Sequence, residues 1–246
     1  MTRKVIGIDV GGSSVKAGLV DVDSGNLIGE PLSAPTPKPA SPEGVMGVIA
    51  GLVKSFPAAE ERVGIAMPSV VQSGKIRTAA NIDRAWIGVD GPALAARVLG
   101  RPTVFLNDAD AAGVAEMRWG AGRGLRGAVI MLTFGTGIGS ALFIDGRLFP
   151  NSELGHLELD GLDAEKWASA HVKTAENLNW LQWAGRVNDY LGRMHALFWP
   201  EVFIFGGSVS KDFQEFASML QSPAQIRPAQ FVGHAGVIGA ALAAAE

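Results

Sequence analysis

The sequence predicts a mixed α/β fold built from two similar halves. Three observations carry that prediction. Short β-branched runs come first as adjacent pairs and then alternate with segments of helical spacing. A Gly-rich stretch, "GGSSVKAGLVD" (11–21), lies without a gap over a second one, "GTGIGSALFID" (135–145). The chain, at 246 residues, is long enough for two modest lobes.

Taken in order, "KVIGIDV" (4–10), "VKAGLVDV" (15–22), "RVGIAMP" (62–68), "PTVFLND" (102–108), "GAVIMLTF" (127–134), "GSALFID" (139–145) and "EVFIFGG" (201–207) read as strands. Helical spacing runs through 43–56, 91–99, 109–119, 163–198 with a break, 210–220 and 235–245. Leu178, Leu181, Val187, Leu191, Met194 and Leu197 recur at mostly three- and four-residue steps, an apolar stripe expected to face the core. Pro200 should end that helix. "APTPKPASPEG" (34–44) reads as a Pro-rich extended loop inside a domain. The first lobe is expected over 1–108, joined by the last helix (231–246), and the second over 109–230.

Composition narrows the function. Apolar content of 48% and charged content of 18% describe a globular chain able to bury a core. With no cysteine, disulfides and thiolate zinc sites are excluded, which suits a reducing cytoplasm. The start "MTRKVIGIDVGG" is interrupted by Asp9 and does not read as a signal peptide. No stretch approaches the ~20 apolar residues of a membrane span. A net charge of −3 argues against a broad nucleic-acid surface.

The two glycine turns are suited to phosphate. "DVGGSSVK" and "TFGTGIGS" let the backbone approach a ligand closely, and successive N–H groups can cradle anionic oxygens. Gly11, Gly12, Ser13, Thr133, Gly135, Thr136 and Gly137 supply those groups, and Lys16 adds a cation. Asp9 sits where it could hold Mg²⁺, directly or through water. Neither turn has P-loop or Rossmann spacing, and each alone is equally an ordinary hairpin. A third turn, "GGSVSK" with Gly206 and Gly207, leads into a helix whose N-terminus could face an anion.

A different chemistry is suggested by "NSELGHLELDGLDAEKWAS" (151–169). It gathers Glu153, His156, Glu158 and Glu165 around one histidine. Such a cluster can hold a metal, since an E-x-x-H pair on a helix is half of a di-iron site. It can equally grip a polyhydroxylated ligand, or be a solvated turn.

Together with "LNDADAAGVAE" (106–116), "TAANIDRAWIG" (78–88) and "AGVIGAALAA" (235–244), these motifs resemble the ROK-type sugar kinases, members of the actin-like (ribonuclease H-like) superfamily. The resemblance covers nearly the whole chain and is strongest for the polyphosphate-using glucokinases and glucomannokinases. It implies a two-lobed fold with duplicated β-hairpin phosphate motifs. It also implies transfer of a phosphoryl group from polyphosphate or ATP to glucose, with mannose as a second acceptor, Mg²⁺ as cofactor and a homodimer. Most ROK proteins carry a cysteine-rich zinc loop after Gly-His; it is absent here, so no structural zinc is expected. The resemblance assigns Glu153, His156 and Glu165 to sugar hydroxyls, and the aspartate of "ND", Asp108, to the role of general base on the sugar 6-hydroxyl.

Asp108 also stands just before a helix, where aspartate commonly caps. Asn107 is implied as a sugar contact; Asn81 and Ser69 carry over more weakly, since both lie in sequences that form ordinary turns. Ser69, Ser208 and the Gly233–His234 pair in "VGHAG" depart from the family pattern. A polymeric donor would need a basic track, for which Arg118, Arg123, Arg126, Lys75 and Arg77 are candidates; solvated surface cations are the alternative. Two rival functions stay open: a sugar-sensing ROK regulator that binds without turnover, and an actin-like filament protein. The regulator would need a DNA-binding segment ahead of a first strand that already begins at residue 4. The filament would leave "ELGH" and "DAEKWAS" unexplained.

Overall fold

The computed structural model describes residues 3–56, 59 and 62–246, and the chain divides into two compact units, Met1–Ala115 with His234–Glu246, and Glu116–Gly233.

In the first unit, β1 (Lys4–Val10) and β2 (Ser14–Asp21) form an antiparallel hairpin. Val5, Ile6, Ile8, Val10 and Val15 are fully buried there, as β-branched residues on a packed pleated surface should be. β3 (Asn26–Leu27) and β4 (Leu32–Pro35) both pair with β2. α1 (Pro42–Val53) starts where Ser41 Oγ accepts the Gly44 N–H at 3.2 Å, with proline in the first turn. β5 (Val63–Met67) runs parallel to β1, and a small hairpin of β6 (Val71–Gln72) and β7 (Lys75–Ile76) follows. α2 (Gly91–Leu99) is capped by Asp90 and ended by Gly100 in the left-handed region at φ 63°. β8 (Thr103–Asn107) then runs parallel to β5 and passes directly into α3 (Asp108–Trp119). The sheet order is β3-β2-β1-β5-β8. Because β1, β5 and β8 are parallel, Asp9, the Pro68–Ser69 turn and Asn107 all lie at the carboxyl end of that sheet, where open α/β sheets bind ligands.

The second unit repeats the plan. β9 (Ala128–Phe134) and β10 (Ile138–Ile144) form a hairpin, with β11 (Arg147–Phe149) beside β10. A short hairpin of β12 (Glu158–Leu159) and β13 (Leu162–Asp163) leads into α4 (Ala164–Ala168) and α5 (Ala170–Ala175). α6 (Trp180–Phe198) opens with a reciprocal capping box between Asn179 and Gln182. β14 (Val202–Gly207), α7 (Phe213–Phe216) and β15 (Gln225–Pro228) complete it. The order β11-β10-β9-β14-β15, with β9, β14 and β15 parallel, repeats the path β3-β2-β1-β5-β8 of the first unit, whose sheet carries β4 in addition. α8 (Ala235–Ala245) returns to the first sheet, pressed so close that a Cβ on Gly7 would lie 1.8 Å from Val237 O.

Four expectations need correction. The two hairpins align without a gap in sequence, but their pairing differs by one residue: Val10 opposes Val15, whereas Phe134 opposes Ile138. A one-residue change of register alters which residues share a face. The apolar stripe of α6 is out of phase at its ends, for Leu181 and Leu197 are 67% and 56% exposed. At about 100° per residue, the face centred on Val187 instead takes in Trp183, Ala184, Tyr190, Leu191 and Met194. Segment 210–220 is not one helix but α7 between two 3-10 turns, bent so that Phe213 and Phe216 both enter the core. After Gly207 the chain enters a 3-10 turn, Ser208–Asp212, where an α-helix N-terminus was expected. Finally, the Pro-rich loop begins in β4 and ends in α1, so both its ends are regular structure.

Candidate functional site

In the first unit, the β1–β2 turn is closed by Gly11 N–H donating to Ser14 O at 2.9 Å. Thr36, buried in the Pro-rich connection, ties it down: its hydroxyl donates to Gly11 O at 2.6 Å and its N–H to Ser13 O at 3.1 Å. With those carbonyls engaged, Gly12 and Ser13 remain exposed at the tip. Asn81, also exposed, lies beside it, for a Cβ on Gly12 would be 3.5 Å from Asn81 O. Below the turn, Asp9 opposes Lys16 across the hairpin. Burial raises the Asp9 carboxyl pKa above its ordinary value, and the charge of Lys16 pulls it partly back.

At the end of β8, Asn107 is buried, with both its amide oxygen and its amide nitrogen engaged. Its amide oxygen accepts from Ala109 N at 2.8 Å and Asp110 N at 3.0 Å, so Asn107, not Asp108, caps α3. Its amide nitrogen donates to Ser69 O at 3.2 Å, joining the ends of β5 and β8. Asp108 also touches the helix, Oδ1 accepting from Ala109 N at 2.8 Å, and the residue is partly exposed. The capping reading of Asp108 thus passes to its neighbour. Ser69 is itself buried, and its Oγ has no hydrogen-bond partner among the described residues.

In the second unit, Gly135 N–H donates to Gly137 O at 3.0 Å, leaving Thr136 exposed at the tip. Thr133 opposes Gly206, and Phe134 opposes Gly207 at φ 81°, so the third glycine turn lies against the second. Ser208 donates its hydroxyl to Phe134 O at 3.3 Å. Glu165, from α4, comes in on the other side, its Oε2 accepting the Ile138 N–H at 3.4 Å. A Cβ on Gly137 would lie 2.3 Å from that oxygen, so the missing side chain makes room for the carboxylate.

Around Glu165 the opening cluster assembles. His156 Nδ1 is 3.9 Å from Glu165 Oε1 and 3.7 Å from Asp163 Oδ2, while Nε2 is 4.0 Å from Glu153 Oε2. Burial raises the Glu153 pKa; His156 lowers it and Glu165 raises it further. Asp163 moves the other way, held down chiefly by its hydrogen bond from Lys166, whose Nζ is 2.9 Å away. His156, Asp163 and Glu165 offer donor atoms within 4.8 Å of one another, a spacing a metal ion could use. The Lys166 ammonium on Asp163 already supplies a cation there and disfavours a second. Two carboxylates and an imidazole with free capacity suit a polyol: carboxylates accept from neighbouring hydroxyls, and imidazole donates or accepts. Glu158 is exposed on β12, outside this group.

Sequence reasoning named Asp9, Lys16, Asn81, Asn107, Asp108, Glu153, His156 and Glu165; it did not name Asp163, Lys166 or Thr36. "DAEK" holds the first two only as charged neighbours, and nothing local marks Thr36 as the brace of a turn 25 residues earlier. Arg118, Arg123, Arg126, Lys75 and Arg77 are all exposed. No helix among the described residues is long and apolar enough to cross a membrane.

The family model for the ROK family matches residues 5–177. The polyphosphate glucokinase of Mycobacterium tuberculosis strain CDC 1551 / Oshkosh is 43% identical over 98% of this chain and 91% of its own. The crystal structure of inorganic polyphosphate/ATP-glucomannokinase from Arthrobacter sp. strain KM superposes with a TM-score of 0.95 at 44% identity, covering 99% of this chain and 98% of that one. A ROK family glucokinase from Streptomyces griseus, crystallised with glucose and AMPPNP, gives a TM-score of 0.83 at 26% identity over 98% and 99% of the two chains.

Proposed function

The chain belongs to the ROK family, and from that premise we propose that it is a glucokinase using inorganic polyphosphate, and also ATP, to make glucose 6-phosphate. What supports this most is the cluster at Glu165, where Glu153 and His156 face the same carboxylate that the glycine turn admits. In this reading Glu153, His156 and Glu165 hold the sugar hydroxyls, with Asn81 and Ser69 as lesser contacts. A site built on such bonds rejects a ligand lacking a hydroxyl, because buried groups are then left unpaired.

Asp108 is the base. Its carboxylate takes the proton of the glucose 6-hydroxyl as that oxygen attacks the terminal phosphorus. The phosphorus–oxygen bond to the rest of the donor breaks, and the shortened polyphosphate or ADP leaves with the electron pair. Asn107 serves first by fixing the start of α3, and its remaining amide hydrogen is the one left for the sugar. The turns at Gly11–Ser13 and Gly135–Gly137, with Thr133, Lys16, Gly206 and Gly207, bind the donor phosphates. A carboxylate whose burial disfavours its charge suits a hard divalent cation, so Asp9 would hold Mg²⁺ directly or through water. Bound there, the ion would neutralise charge on the donor phosphates.

Mannose as a second acceptor, a homodimer and a cytoplasmic location belong to the same reading. Initial rates with polyphosphate and with ATP, each against glucose and mannose, test it. Glucose 6-phosphate formation that stops on chelation of divalent cations is expected. A sugar-sensing regulator would bind glucose and transfer no phosphate from either donor, and that result would overturn the proposal.

A further inference from the structure

We propose that Tyr190 and Ser140 are positioning residues for the sugar: between them they fix the turn that carries Glu153 and His156, and so set glucose affinity. The inference rests on the glucokinase reading above.

The turn cannot hold itself. Leu154–His156 is a single 3-10 turn, and Glu153 at its start makes no side-chain capping bond. One turn of helix pays its nucleation entropy with almost no internal bonding to offset it. The negative charge of Glu165 also opposes that of Glu153. Something outside the turn must hold these groups together.

Two hydroxyls do. Ser140 Oγ, on β10, donates to Ser152 O at 2.6 Å and accepts the Leu154 N–H at 2.9 Å, while Ser152 Oγ donates back to Ser140 O at 3.1 Å. From α6, the Tyr190 hydroxyl donates to Leu154 O at 2.9 Å. Both backbone polar groups of Leu154 are thus held by buried side chains from two different elements. Gly155 closes the contact, since a Cβ there would lie 2.1 Å from Ile138 O.

The choice of residue points the same way. Tyr190 is the only tyrosine in a chain with 11 phenylalanines, and it is fully buried. Phenylalanine would fill the same core space; what tyrosine adds is this one hydroxyl. Burial first, and the charge of Glu165 second, push its pKa far up, so the hydroxyl stays protonated and donating at any pH the fold survives.

The test is Tyr190→Phe, read by steady-state kinetics and by calorimetric titration with glucose. Glucose KM and dissociation constant should rise about tenfold, the worth of one buried hydrogen bond, while kcat and the donor KM hold within about twofold, the mark of lost uniform binding. Ser140→Ala should do the same from the opposite side. Unchanged glucose affinity in both variants, or equal losses in kcat and in both KM values, would overturn the proposal. Hydrogen exchange on the unaltered protein gives a readout that survives misfolding of either variant. The Leu154 amide should exchange slowly, and exchange at the unprotected rate counts against the anchoring. Should the unaltered protein phosphorylate no glucose, the glucokinase reading fails by itself, and the titration and the amide still judge whether this turn is held and whether it serves glucose.

Discussion

Glu165 reaches the β9–β10 turn through space that Gly137 leaves open: a Cβ on residue 137 would lie 2.3 Å from Glu165 Oε2. The glycine turn and the carboxylate cluster therefore share a wall. In contrast, a Cβ on Gly135, two residues earlier, meets nothing within 4 Å.

That contrast separates two roles inside one turn. Gly137→Ala must push Glu165 aside, and glucose KM should rise tenfold or more, roughly the loss of a charge-assisted hydrogen bond. The melting temperature should hardly move, because Glu165 is a partly exposed side chain that can swing away. Gly135→Ala should leave glucose KM unchanged and weaken the phosphate donor. Steady-state kinetics with each substrate varied decides it; an effect on the same substrate in both variants would refute the division.

Asp108→Asn should lower kcat by about 10²–10⁴ while glucose binding persists. Asn107→Ala should act differently, costing about 0.5–2 kcal/mol of stability through the lost cap as well as slowing turnover, since the start of α3 loses its tie to Ser69. Thermal melts beside rate measurements distinguish them. An Asn107→Ala protein as stable as the unaltered one would show that the cap is not what Asn107 supplies.

Where the sequence was legible, a local signal existed. The paired strands followed from β-branched runs, and the repeat of "GGSSVKAGLVD" in "GTGIGSALFID" anticipated two sheets of one topology. Asp108 was singled out by the resemblance to the ROK kinases; its place between a strand and a helix offered by itself only a cap. What stayed hidden depended on contacts between distant segments. Asn107 took the cap from Asp108 because its amide can accept from α3 and donate to Ser69 at once, a pairing that needs β5 beside β8. Leu181 and Leu197 fitted a three-to-four spacing yet lie outside the buried face, whose phase is set by Trp183 and Tyr190 packing inward. The hairpins matched residue for residue until pairing was laid down, when the second turn proved one residue shorter.

Asp9 makes a prediction about pH. Its folded pKa is raised above the ordinary 3.8, chiefly by burial, so the folded state binds the proton more tightly than the unfolded chain. The stability this gives is complete below the ordinary value and is lost as pH rises through the raised one. Asp9→Asn removes the titration, so the variant's melting temperature should overtake that of the unaltered protein as pH climbs through that window, then keep a constant lead. The same variant should lose Mg²⁺-dependent turnover. A lead that shrinks with rising pH would contradict the sign of the shift.

The donor is decided by what lies beyond its terminal phosphate. ATP ends in a nucleoside, while polyphosphate continues as a chain of charge, so only the polymer gains from a line of exposed cations. Arg118, Arg123 and Arg126 are exposed close together in sequence, and Arg126 is tethered by Nη1 donating to Asp145 O at 3.4 Å. Replacing all three with glutamine should raise the KM for long-chain polyphosphate several-fold and that for ATP far less. The gap should narrow with added salt, because exposed charges are screened beyond about 10 Å at 0.1 M ionic strength. Glucose KM should stay put, and so should the melting temperature, since surface cations of this kind add little to stability. Equal loss with both donors would move these arginines from a polymer track to the shared phosphate clamp, and no loss with either would leave them as solvated surface charge.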